Sequence, residues 1–221
     1  FTGFGTSNVQ GLLNCFRWGL DNRIHLATGS IGGDVRIMSG PRFDPNAKPV
    51  NCRGRDIAFD PRTYEFELTS GASQHGMCFD DGGRKFVSSK SNHIQQVMYE
   101  DRYIARNPYL TAPDARISIA ADGPQAEVFR TSPVEPWRII RTQLRVSGAV
   151  KGAIEGGGRA AGYFTGATGV TIYRGDAFPA EWKGMAVVGD VGSNLVHRKR
   201  LEPNGLEFIA RRIDQRSEFV S

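Results

Sequence analysis

The sequence predicts an all-β protein, specifically a β-propeller segment of three to four blades, and three observations carry that expectation. Short apolar runs alternate with Gly-, Asp- and Pro-rich turns along the whole chain, which holds 27 Gly and 11 Pro among 221 residues. A strand–turn–strand unit recurs with its apolar and turn positions in step. Each unit runs on into a second hairpin, and four-strand units at periods of roughly 40–60 residues are the signature of propeller blades.

The first unit is Cys15-Phe16-Arg17-Trp18, the polar turn Gly19-Leu20-Asp21-Asn22, and Ile24-His25-Leu26-Ala27. The second is Met77-Cys78-Phe79, Asp80-Asp81-Gly82-Gly83, and Lys85-Phe86-Val87-Ser88. Laid over each other without gaps, Trp18 falls on Phe79, His25-Leu26 on Phe86-Val87, and Asn22 on Gly83. Both residue types at that last position tolerate positive φ. A looser third unit pairs Val170–Tyr173 with Met185–Gly189 across a Gly/Asp/Pro-rich insertion. The outer hairpins are Arg55–Phe59 and Tyr64–Leu68 around Asp60-Pro61-Arg62-Thr63, then Leu195–Arg198 and Leu206–Ile209 around Glu202-Pro203-Asn204-Gly205. Residues 100–160, rich in Pro, Arg and Gly, predict blade strands plus a long inserted loop region. Within them Trp137–Val146 alternates apolar and basic residues, the pattern of a half-exposed strand.

A net charge of +5 is spread along the chain, with His197-Arg198-Lys199-Arg200 as its longest basic run. Basic residues are not clustered with aromatics, which argues against nucleic acid as a partner, and the run is expected to be solvated surface. Cys15, Cys52 and Cys78 lack metal-ligand or haem-attachment spacing. Cys15 and Cys78 are expected as buried thiols, and Trp18, Trp137 and Trp182 as packing between blades. No run approaches the roughly 18 consecutive apolar residues of a membrane helix. Three or four blades do not close a ring, so residues 1–221 are expected to be one partial propeller domain, a piece of a longer protein or one chain of an assembly, its open edges covered by further blades or a partner chain.

Several passages together resemble one family. They are Phe1–Thr6, Asn8–Asn14, Phe16–Asn22, Ser91–Gln95, Arg106–Leu110, Glu155–Ala160 and the run from Gly169 to Leu201, which includes Tyr173–Pro179 and Gly189–Gly192. In these the chain is similar to the membrane-bound dehydrogenase propellers of planctomycete-type bacteria, often fused to cytochrome c modules. It is more distantly similar to the soluble quinoprotein glucose/sorbosone dehydrogenases. The resemblance implies a typically six-bladed ring, pyrroloquinoline quinone (PQQ) and calcium as cofactors, and a small sugar or alcohol as substrate. It further implies a chain cut at both ends, a cytochrome c module or subunit as electron acceptor, and a periplasmic or extracellular location, with any membrane association through other parts of the protein.

Ligands of propellers gather where the loops entering each first strand meet those joining each second and third strand. Here these loops collect Asn8, Gln10, Gln74, His75, Asn92, His93, Arg159, Asp190 and Asn194, which are expected to ring one funnel. Alcohol oxidation needs a base whose pKa lies near the working pH, a role open to His93 or His75. Arg159 would stabilise charge developing on the quinone. Asn8, Gln10, Gln74 and Asn92 would contact the cofactor, and Asp190 and Asn194 would supply hard oxygen ligands to calcium. Structural alternatives are backbone hydrogen bonding for His93 and strand capping for Asn8 and Gln10, and Gly156-Gly157-Gly158 is expected to be approached closely by a cofactor or by another loop rather than to form a phosphate loop. A non-catalytic propeller binding carbohydrate or protein is the competing function.

Overall fold

The computed structural model describes residues 1–107 and 109–221, so Pro108 of the Arg106–Leu110 motif lies outside the described residues. Three consecutive four-stranded antiparallel meanders dominate. The first is β2 (Asn14–Trp18), β3 (Ile24–Ala27), β6 (Asp56–Phe59) and β7 (Phe66–Thr69). The second is β8 (Met77–Phe79), β9 (Lys85–Ser89), β10 (Asn92–Val97) and β11 (Arg116–Ser118). The third is β12 (Ala167–Ile172), β13 (Ala186–Asp190), β14 (Leu195–Asn204) and β15 (Glu207–Arg212). A smaller sheet, not foreseen from the sequence, joins β1 (Thr2–Phe4) to β4 (Gly33–Arg36) and β5 (Val50–Asn51) inside the β3–β6 connection.

The register confirms the overlay of the first two units: Trp18 pairs with Ile24 and Phe79 with Lys85. Asn22 at φ 58° and Gly83 at φ 76° hold the same turn position, as expected, and Gly184 at φ 81° serves the third unit. Two hairpin boundaries move. Tyr64 adopts φ 61° and its N–H closes on the Asp60 carbonyl at 2.8 Å, so the return strand starts later, at Phe66. In the third meander β14 runs on through Pro203, and the turn is Gly205-Leu206, with glycine at the first central position (φ 62°) as a type II′ turn requires. Pro203 is tolerated because β14 there extends past the end of β13, whose pairing stops at Ala186–Lys199.

The strand expected over Trp137–Val146 is instead helix α2, Pro136–Val146, which follows the short α1, Asp101–Ile104. The alternation concealed a helical period: Arg138, Arg141 and Arg145 fall at i, i+3 and i+7, and Pro136 sits at the helix start, where it costs no hydrogen bond. Trp137 and Trp18 are consequently exposed, not packed between sheets, while Trp182 is buried against Phe178 and Phe219. The basic run of β14 also departs from a solvated surface. His197 and Lys199 point inward and are buried, leaving only Arg200 fully outside, because successive strand residues face opposite ways. Cys52 and Cys78 are buried and Cys15 is half-buried; all three are free thiols.

The largest core lies between the second and third meanders, where Phe86, Ile94, Phe164, Val170 and Val188 are fully enclosed. Leu26, Val35, Cys52 and Ile57 form a second core between the first meander and the small sheet. A third, around Ala27, Met77 and Val87, joins the first meander to the second. The first strands of the meanders stand side by side, β8 touching both β2 and β12. Asn14 of β2 donates to the Gln74 carbonyl at 3.0 Å, and Gly169 of β12 donates to the His75 carbonyl at 2.8 Å. The loop ahead of β8 is therefore clamped from both flanks.

Candidate functional site

That clamped loop floors a cleft of about 490 Å³ whose walls come from well-separated stretches of chain: Val9 and Gln10, His75, Lys90, α2, Glu155, and the turns at 165–168 and 191–192. His75 is placed by its backbone. Its N–H donates to the Ser88 carbonyl at 3.2 Å, and its own carbonyl accepts from the Ser88 hydroxyl at 2.6 Å. The ring has no hydrogen-bond partner among the described residues and is half-buried. Partial burial holds its pKa below the usual histidine value, so it is neutral at neutral pH and able to accept a proton. Gln74 supports the rim, its amide spanning the Gln10 carbonyl at 3.5 Å and the Lys90 N–H at 3.3 Å.

The opposite wall is cationic. Lys90 pairs with Glu155 at 3.1 Å, and Arg138 with Glu135 at 2.9 Å. The guanidiniums of Arg138 and Arg141 lie 5.0 and 4.9 Å from the Trp137 ring centre. Trp137, Lys90, Arg138 and Arg141 were not among the residues expected at the site. The signal for those on the helix was the i, i+4 spacing of Trp137 and Arg141 and the i, i+3 spacing of Arg138 and Arg141, legible only once the segment is taken as a helix.

Of the nine expected residues, Gln10 and His75 line the cleft and Gln74 braces it; the other six do not converge there. The loop between β9 and β10 is only Lys90-Ser91, so Asn92 and His93 already belong to a strand. His93 is fully buried and stacks on Phe164 at 4.1 Å, with Nδ1 2.7 Å from the Pro124 carbonyl oxygen. Burial, with Lys199 nearby, lowers its pKa to about 3. Asn92 accepts from Ser118 at 3.2 Å. Asn8 caps a 3₁₀ turn, accepting from the Gln10 N–H at 2.9 Å. Arg159 is exposed and donates to the Gly156 carbonyl at 3.0 Å. Gly156 lets the Tyr163 ring approach so closely that an added Cβ would lie 2.1 Å from it, which is the loop-packing alternative for that glycine run.

The two calcium candidates are likewise occupied otherwise. The Asp190 carboxylate is buried and accepts from the Thr165 N–H at 3.1 Å and the Gly192 N–H at 2.8 Å; burial pushes its pKa up. It ties the loop ahead of β12 to the β13–β14 turn that shapes one cleft wall. Asn194 is exposed at φ 54°, a turn position that asparagine tolerates well. No group of three or more His, Cys, Asp or Glu side chains is arranged to hold a metal ion among the described residues. No helix among the described residues is long and apolar enough to cross a membrane.

No curated protein and no solved structure matches the chain. A family model described as a domain of unknown function, DUF7133, matches residues 1–221, and the chain belongs to that family.

Proposed function

We propose that the three meanders are consecutive blades of a β-propeller and that their loop face binds a small polar ligand, a sugar or alcohol, in the cleft beside His75. The observation that carries this reading is the cleft itself. Residues from the loops entering or leaving all three meanders converge on one concavity, beneath which the first strands stand in sequence, β2, β8, β12. Gln10 and the Thr165 and Thr168 region supply uncharged hydrogen-bonding groups of the kind that fix sugar hydroxyls.

A second reading, an exported sugar or alcohol dehydrogenase that passes electrons to a cytochrome c, is favoured by His75 alone: a neutral imidazole on a cleft wall suits removal of a hydroxyl proton. The expected cofactor set does not fit. Asp190 has its oxygens committed to backbone N–H groups, Asn194 is exposed in a turn, and Asn8 and Asn92 are engaged elsewhere. No step through calcium or PQQ is therefore derived from these residues.

Isothermal titration of the protein with a panel of monosaccharides and polyols, beside a dye-linked oxidation assay with and without added PQQ and calcium, separates the readings. Binding without oxidation supports the binding propeller. Oxidation that His75→Ala lowers by about 100-fold or more, in line with loss of a general base, supports the dehydrogenase. Absence of binding by any member of the panel overturns both.

A further inference from the structure

The cationic wall of the cleft is unevenly satisfied. Lys90 and Arg138 each have a carboxylate partner, Glu155 and Glu135, whereas Arg141 has neither an ion pair nor a hydrogen bond among the described residues. Its Nε is buried without an acceptor. One turn further along α2, the Nε of Arg145 is orphaned in the same way, and that side chain reaches only the Ala153 carbonyl, at 3.2 Å. Arg141 lines the cleft with no partner of its own among the described residues, so its guanidinium is free to take an acceptor from outside the chain. Trp137 holds the Arg141 guanidinium in place through its ring face, four residues back on the same helix, so the group is preorganised.

We infer that the cleft takes a carboxylate-bearing sugar, a uronate, with its carboxylate on the Arg141 guanidinium. This rests on the ligand-binding reading above and names the ligand's charged group. A guanidinium matches a planar carboxylate through two parallel N–H···O bonds. Glu135 is shared between Arg130 and Arg138, so the two carboxylates leave an excess of positive charge around this wall, which suits an anion. Glu155 does not oppose the ligand, because Lys90 already neutralises it.

The test is isothermal titration of the protein with galacturonate and glucuronate beside galactose, glucose and glucose 6-phosphate. The expected result is uronate binding at least tenfold tighter than the neutral parent sugars. Arg141→Gln should remove that preference, and Arg141→Lys should restore only part of it. In the unsubstituted protein the Arg141 Nε–H resonance should shift on titration with uronate and stay in place with the neutral sugar, a readout that does not depend on the variants folding. Equal affinity for uronate and neutral sugar, a preference that survives Arg141→Gln, tighter binding of the phosphate, or PQQ displacing uronate from Arg141 overturns the inference while the cleft reading stands. Failure of every sugar to bind removes both.

Discussion

Asp56 and Lys85 show how single residues join one sheet to the next. Both are buried, their charges 2.7 Å apart, and the Asp56 carboxylate also accepts from Thr28 N–H, Ser73 N–H and the Ser73 hydroxyl. Lys85 belongs to β9 and Asp56 to β6, so the pair pins the first meander to the second. Lys85→Met leaves a buried carboxylate without its counter-ion and should cost about 3–5 kcal/mol, measured by urea unfolding. Phe164→Ala, which removes the ring stacked on His93, should cost about as much, roughly 3–5 kcal/mol. His93 itself predicts an acid dependence. Its folded pKa of about 3 lies below the ordinary value of 6.5, so between those limits the unfolded chain binds the extra proton. The stability it confers is complete above pH 6.5 and is lost as pH falls toward 3, at up to about 1.4 kcal/mol per pH unit. His197, whose pKa burial also lowers, acts in the same direction, and Asp122 and Glu218, both held below the carboxylate range, add their loss below about pH 4. Unfolding midpoints at pH 7, 6 and 5 read the slope, and His93→Gln should flatten it.

At the scale of elements, the strand–turn–strand units were legible because turn chemistry and period 2 agreed: Asn22 and Gly83 are the residues that a positive-φ corner demands. Helix α2 was not, because in PWRIIRTQLRV the apolar and basic residues satisfy an alternating and a helical period at once. Pro136 at the first helical position and the three arginines on one stripe break the tie. The helix buries none of its residues completely, and its apolar residues Ile140 and Leu144 face solvent while Trp137, Arg138 and Arg141 turn toward the cleft. Ile140→Glu should therefore change stability by no more than about 0.5 kcal/mol. Ile140→Pro should remove the helix, at a cost of about 3 kcal/mol, with a drop in the circular dichroism signal at 222 nm. If Ile140→Glu unfolds the protein, the helix has a covered face.

For the whole molecule, stability is shared unequally among the cores. The second and third meanders share the largest one, and the 119–121 segment adds backbone bonds across to β15, with Ala210 donating to Ile119 at 2.7 Å and Ala121 donating to Ala210 at 3.0 Å. The β1–β4–β5 sheet rests on a small core and is largely exposed. Amide hydrogen exchange should accordingly be slowest in β9, β10, β13 and β14 and fastest in β1 and β5, since local opening follows buried contact. Uniform protection across the four sheets would mean a single cooperative unit instead.

The sequence by itself determined the all-β class, the three strand–turn–strand units and their turn residues, because these follow from short-range sterics and a period of two along one stretch of chain. Only the tertiary structure decided which polar residues meet. His93 and Asp190 were equivalent to His75 as polar groups near loops. Whether each faced solvent or core depended on a loop being two residues long, a strand starting at Asn92, and two backbone N–H groups reaching Asp190 from different turns. The cationic wall of the cleft depended on tertiary folding to bring Arg138 and Arg141 of that helix together with Lys90 and His75. Sequence pattern specifies local conformation through nearest neighbours, but a site is a set of distances between residues far apart in the chain, and those are fixed by packing.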